Sequence, residues 1–137
     1  MTISTHVLDA VQGKPAAGIA VALETLGVGG SGPESIEQQP RWTVLAEQVT
    51  NADGRVPDLM APATRPHGGD ELGGLGSSEG SILGPGTYRL RFDTGNYFQG
   101  ETFYPEVAIT FTVIDASAHH HVPLLLSPYS YSTYRGS

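Results

Sequence analysis

Apolar residues recur at every second position in several short runs of this chain, and polar or turn-forming residues separate the runs. Over 19–25, Ile19, Val21 and Leu23 alternate with smaller or polar neighbours; over 87–93, Tyr88, Leu90 and Phe92 share one parity. Val107, Ile109, Phe111 and Val113 repeat the period over 107–114. Side chains two apart on an extended chain point to the same side, so each run predicts a strand with one face in a core. Weaker runs lie at 4–8, at 42–50 with Trp42, Val44 and Ala46 on one face, at 119–126 and at 129–134. No segment carries a long apolar stripe at helical spacing, and 93–100 has room for at most one short helix before Tyr104-Pro105.

Turn chemistry supports that division. Gln12-Gly13-Lys14-Pro15 follows the first run, Asp53-Gly54 closes the third, and Ser127-Pro128 separates the last two. Seven to eight short strands and one short helix predict an all-β sandwich in a single domain spanning 1–137. Two stretches stand apart: 27–40, rich in Gly, Ser and acidic residues, and 62–86, which holds Gly68-Gly69 and Gly73-Gly74. Both are expected to be inserted surface loops.

Composition narrows the chemistry. There is no cysteine, so disulfides, thiolate nucleophiles and Cys-ligated zinc are excluded. Fourteen acidic residues against seven Lys and Arg give a net charge of −7, and no basic run collects the cations. Nucleic acid is not an expected partner. The first residues have neither a basic nor an apolar leader segment, and no stretch is long and apolar enough to span a bilayer. The expectation is a soluble cytoplasmic protein without a membrane partner.

Candidate chemistry centres on histidine. His119-His120-His121 suggests a metal site, but strand alternation puts His119 and His121 on one face and His120 on the other. Two imidazoles on one strand make a poor site unless His6 supplies a third, so no metal or other cofactor is expected. No Gly-x-x-x-x-Gly spacing is followed by Lys-Ser/Thr, and Ser127, Ser130 and Ser132 lack a nucleophile-elbow context. His6 on the first strand and Arg55 after the Asp-Gly turn are unremarkable singly. The sequence closes on Tyr134-Arg135-Gly136-Ser137 directly after an expected strand, which suggests that this end is held in place.

Taken together, these residues resemble the 5-hydroxyisourate hydrolases. The resemblance rests on Ser4-Thr5-His6-Val7-Leu8-Asp9, Gly13-Lys14-Pro15-Ala16, Asp53-Gly54-Arg55, Phe92-Asp93-Thr94-Gly95-Asn96-Tyr97-Phe98, Phe103-Tyr104-Pro105-Glu106-Val107 and the run from His119 to Ser137. It covers the chain apart from the two Gly-rich stretches. It implies a transthyretin-like β-sandwich that assembles as a homotetramer, a dimer of dimers, with active sites between dimers. It also implies a small purine-derived substrate: 5-hydroxyisourate is opened by water to 2-oxo-4-hydroxy-4-carboxy-5-ureidoimidazoline, a step of urate breakdown.

Carried over by position, the resemblance makes His6, Arg55 and His121 catalytic. His119, Tyr134, Arg135, Gly136 and Ser137 would line the substrate cavity. Either His6 or His121 suits the base that deprotonates water, and Arg55 suits the developing oxyanion. Transthyretin, a carrier of the same fold, lacks this His and Arg set and the Tyr-Arg-Gly-Ser end. A non-enzymatic small-ligand binding protein is therefore the alternative reading. The chain departs from the family at His120, where an aromatic residue is common, and in its two long loops.

Overall fold

The computed structural model describes residues 1–28, 39–62 and 83–137. The greater parts of the two expected loops, 29–38 and 63–82, lie outside the described residues. Nine strands occur among those described: β1 (Thr2–Asp9), β2 (Lys14–Pro15), β3 (Ala20–Val28), β4 (Pro40–Val49), β5 (Arg55–Val56), β6 (Gly86–Phe92), β7 (Val107–Val113), β8 (His119–Ser127) and β9 (Ser130–Thr133). β2 and β5 are two-residue pairings; the other seven match the seven expected runs. One short helix, α1 (Thr94–Tyr97), falls inside the segment where the sequence left room for it.

The strands form two sheets. One has the order β2-β1-β8-β9 with β5 also on β1, and the other the order β4-β3-β6-β7. Ile3, Val7, Val122, Leu124 and Leu126 from the first sheet meet Val21, Leu23, Leu90, Phe92, Val107 and Val113 from the second, all buried. This is the sandwich that alternation predicts: each strand contributes every second side chain to the core.

The 42–50 run departs from the expected alternation. Pairing of β3 with β4 shifts register between Leu23 and Glu24, so that Leu23 faces Ala46 while Glu24 faces Val44. One extra residue on β4 reverses its parity at this bulge. Ala46 therefore packs against the core, whereas Trp42 and Val44 lie on the outer face with Glu24. There the Trp42 ring stacks under Arg89 at 4.1 Å, and Glu24 binds Arg89 and Arg91, each at 2.6 Å.

The elements that position the site are β1, β5 and β8. β1 and β8 run parallel, which sets Thr2 beside His119, Ser4 beside His121 and His6 beside Pro123. On its other edge β1 pairs with β5, which sets His6 opposite Arg55. The end of β1 is fixed by the buried Asp9 carboxylate, which accepts from the Val11 and Gln12 amides and from the Tyr97 hydroxyl at 2.7 Å. Burial and that carboxylate push the Tyr97 phenol up to about 12.

Candidate active site

Arg55 is aimed by the turn before it. Asn51 Oδ1 accepts from the Asp53 and Arg55 amides at 2.9 and 3.0 Å, and the Asn51 and Arg55 backbones exchange a further bond at 2.9 Å. Gly54 holds φ +74°, and a Cβ there would lie 2.5 Å from the Val7 carbonyl oxygen. Only glycine suits both the left-handed backbone and that approach. The Asp-Gly pair that marks the turn in sequence thus brings Arg55 across β1 to His6.

On β1 and β8 alternation does the rest. Ser4 and His6 share the outer face of β1, and His119 and His121 share the outer face of β8. Ser4 Oγ lies 2.7 Å from His121 Nδ1 and 3.0 Å from His119 Nε2, and Thr2 Oγ1 contacts His119 Nδ1. Hydroxyl groups thus occupy three of the four ring nitrogens of His119 and His121, and His121 Nε2 has no partner among the described residues. The two rings stack with centroids 6.4 Å apart.

Ser4, Thr5, Arg55, Pro57, His119, His121 and Ser137 line an open cavity of about 310 Å³. Gly136 closes its edge: its amide donates to the His121 carbonyl at 2.9 Å, and its Cα sits against the His121 ring. His6 adjoins the cavity through Arg55. Burial, then the Arg55 cation, lower its imidazole below the usual 6.5, against the Asp53 carbonyl that accepts from the ring and the Asp53 carboxylate. Burial first, then Arg55, His119 and His6, also lower His121 below 6.5. Both side chains are therefore neutral near pH 7, able to accept a proton, beside a permanent cation.

Of the expected site residues, His6, Arg55, His119, His121, Gly136 and Ser137 meet on this face. Tyr134 and Arg135 do not line that cavity; with Ile109, Phe111, His120 and Val122 they line a separate one of about 260 Å³, to which His121 also contributes. His120 points inward as alternation requires, and its buried Nδ1 has no hydrogen-bond partner among the described residues. Sequence reasoning does not reach the place of Ser4 between the two histidines. Parity puts Ser4 beside His6, but only the parallel β1–β8 register sets it between His119 and His121.

The two sheets and their strand order make this a transthyretin-like β-sandwich, here with a histidine and arginine face on one sheet. The HIUase/Transthyretin family pattern matches residues 3–136, and the chain belongs to that family. It is 41% identical to 5-hydroxyisourate hydrolase of Mus musculus, over 98% of this chain and 94% of that protein. Among solved structures, the 5-hydroxyisourate hydrolase of Klebsiella pneumoniae superposes with a TM-score of 0.66 at 31% identity, covering all of both chains. Transthyretin from Sparus aurata superposes with a TM-score of 0.70 at 26% identity, over 98% of this chain and 96% of that one. Backbone similarity therefore spans both branches of the family, and the choice between them falls to the site.

Proposed function

We propose that this protein hydrolyses 5-hydroxyisourate to 2-oxo-4-hydroxy-4-carboxy-5-ureidoimidazoline in urate degradation. The observation that carries the reading is the convergence of His121 and Arg55 on one cavity, with His6 held against Arg55 by strand register. A carrier needs shape and apolar contact; a neutral imidazole with a ring nitrogen unpartnered among the described residues, beside a guanidinium, supplies what hydrolysis needs.

In this mechanism His121 Nε2 takes a proton from a water molecule as the water oxygen attacks the ring carbonyl carbon. Arg55 faces the carbonyl-rich substrate and stabilises negative charge on the carbonyl oxygen as the tetrahedral centre forms. The C–N bond then breaks as the hydroxyl of the tetrahedral centre gives up its proton and the departing nitrogen takes one, the carbon becoming the carboxylate and the nitrogen the end of the ureido group. His6 is held by Asp53 and Arg55 at the cavity margin, where it orients the substrate. Ser137 supplies a hydroxyl to the same cavity for positioning substrate or water.

The same reading includes assembly as a tetramer of four identical chains. Its support is that β7 and β9 are edge strands of their sheets and that Phe103, Tyr131 and Tyr134 are exposed large side chains nearby in the chain. Such edges are satisfied by pairing with a second copy. The activity is tested by following freshly generated 5-hydroxyisourate at several protein concentrations. Catalysis makes its decay rate rise in proportion to protein, whereas a carrier binds the compound, or none, without speeding its decay.

A further inference from the structure

We propose that Ser4 and His119 form a proton exit path from His121 to solvent, with Ser4 fixing the His121 tautomer. The inference rests on the hydrolase reading and deepens it. Ser4 is buried, yet its single hydroxyl bridges two imidazoles that belong to another strand, and the far nitrogen of the second imidazole meets the hydroxyl of Thr2. The four groups make one continuous chain from the cavity to the beginning of β1 and β8, where His119 is exposed.

A hydroxyl has one proton, so such a chain has two directions. In one, His121 Nδ1–H donates to Ser4 Oγ, Ser4 donates to His119 Nε2, and His119 Nδ1–H donates to Thr2. In the other, every donor becomes an acceptor. Only the first leaves a lone pair on His121 Nε2, the nitrogen without a partner among the described residues. The Arg55 cation on the same cavity favours it, because a positive charge prefers to face a lone pair rather than an N–H.

Reversal of the chain delivers a proton. When Nε2 takes the proton of the attacking water, the Nδ1 proton passes to Ser4 Oγ, the Ser4 proton passes to His119 Nε2, and the His119 Nδ1 proton leaves by way of Thr2 to solvent; once product departs, the Nε2 proton passes to water entering the cavity and the chain runs back as one proton re-enters at Thr2, for a net release of one. The net reaction releases a proton for such a path to carry. Opening the ring gives a carboxylate and a non-basic ureido nitrogen, so each turnover at neutral pH releases one proton. Ser4 is on this account a positioning residue and His119, which also lines the cavity, a relay.

The test combines ¹⁵N NMR of the histidine ring nitrogens with kinetics on the intact protein, for wild type, Ser4→Ala and Ser4→Thr. The groups that face His121 are Arg55 from β5, His6 from β1 and His119 on its own strand, and all are retained in these variants. The expected result is a neutral His121 carrying its proton on Nδ1 in wild type and Ser4→Thr. Ser4→Ala shifts the proton toward Nε2 and loses kcat by about 10- to 100-fold with little change in KM. Moreover, the acidic limb of the pH profile moves in Ser4→Ala and returns in Ser4→Thr. If Ser4→Ala keeps the wild-type tautomer and kcat, or wild-type His121 carries its proton on Nε2, the exit path is overturned. Wild type without hydrolase activity but with the Ser4-dependent tautomer would instead overturn the substrate assignment alone. A Ser4→Ala chain that fails to fold leaves the wild-type and Ser4→Thr spectra to decide.

Discussion

Adding one methyl group at Gly136 probes the site without removing any polar atom. A Cβ built there would lie 2.5 Å from His121 Cδ2, 3.1 Å from Cγ and 3.2 Å from Cβ, whereas ordinary contact begins at 3.4 Å. Either the imidazole or the terminal segment has to move by roughly 1 Å, a misplacement that costs on the order of 100-fold in rate when it falls on a reacting group. If the ring moves, its 2.7 Å bond to Ser4 is stretched beyond hydrogen-bonding range; if the segment moves, Ser137 leaves the cavity. The backbone at Gly136 is not left-handed and the pairing there is a single bridge, so stability should change by no more than about 0.5 kcal/mol. Gly136→Ala is thus expected to lose kcat/KM by about 100-fold with an unchanged urea midpoint, read from decay of 5-hydroxyisourate and from denaturation in parallel. A folded variant within roughly threefold of wild type would show that the close approach of Gly136 to His121 has no part in the chemistry.

Arg55→Ala should lower kcat/KM by several powers of ten, because the cavity then loses its cation; near-normal turnover would remove Arg55 from the site. Activity should fall as pH drops below 6.5, with a midpoint below that value, because burial and Arg55 hold His121 neutral to lower pH. The same depression makes His6 and His121 bind protons more readily unfolded than folded. Their contribution to stability is full above 6.5 and is lost as pH falls through their lowered folded values, and urea titrations that show no loss across that window would contradict it. On the opposite face, Glu24→Ala leaves Arg89 and Arg91 without their shared carboxylate. Since Glu24 is 4% exposed but Arg91 34%, solvent screening reduces the penalty to about 2 kcal/mol, and a loss under ~0.5 kcal/mol in urea would refute it.

Much of the sandwich is visible in two-residue alternation because a half-buried strand has to sort its side chains by face. The 107–114 run shows this well: Val107 and Val113 are buried, and Ile109 and Phe111 lean on the same core. The 42–50 run shows where it fails. Its bulge is a property of the β3–β4 pair, and no local pattern announces that Val44 changes sides. The site divides similarly. Strand parity correctly joins His119 with His121 and turns His120 inward, and the Asp-Gly turn announces where Arg55 emerges. That Arg55 faces His6, and that Ser4 bridges two histidines over a hundred residues away, depends on register between distant strands. Such register is set by the whole core rather than by neighbours in sequence.

The most direct test of the hydrolytic site is the decay of freshly generated 5-hydroxyisourate, made in the cuvette with urate oxidase and followed by absorbance with wild type and with His121→Asn. The predicted result is a decay rate that rises linearly with wild-type protein and stays at the spontaneous value with a folded His121→Asn. Decay unchanged by well-folded wild-type protein would contradict the hydrolase account and leave the cavity as a binding site.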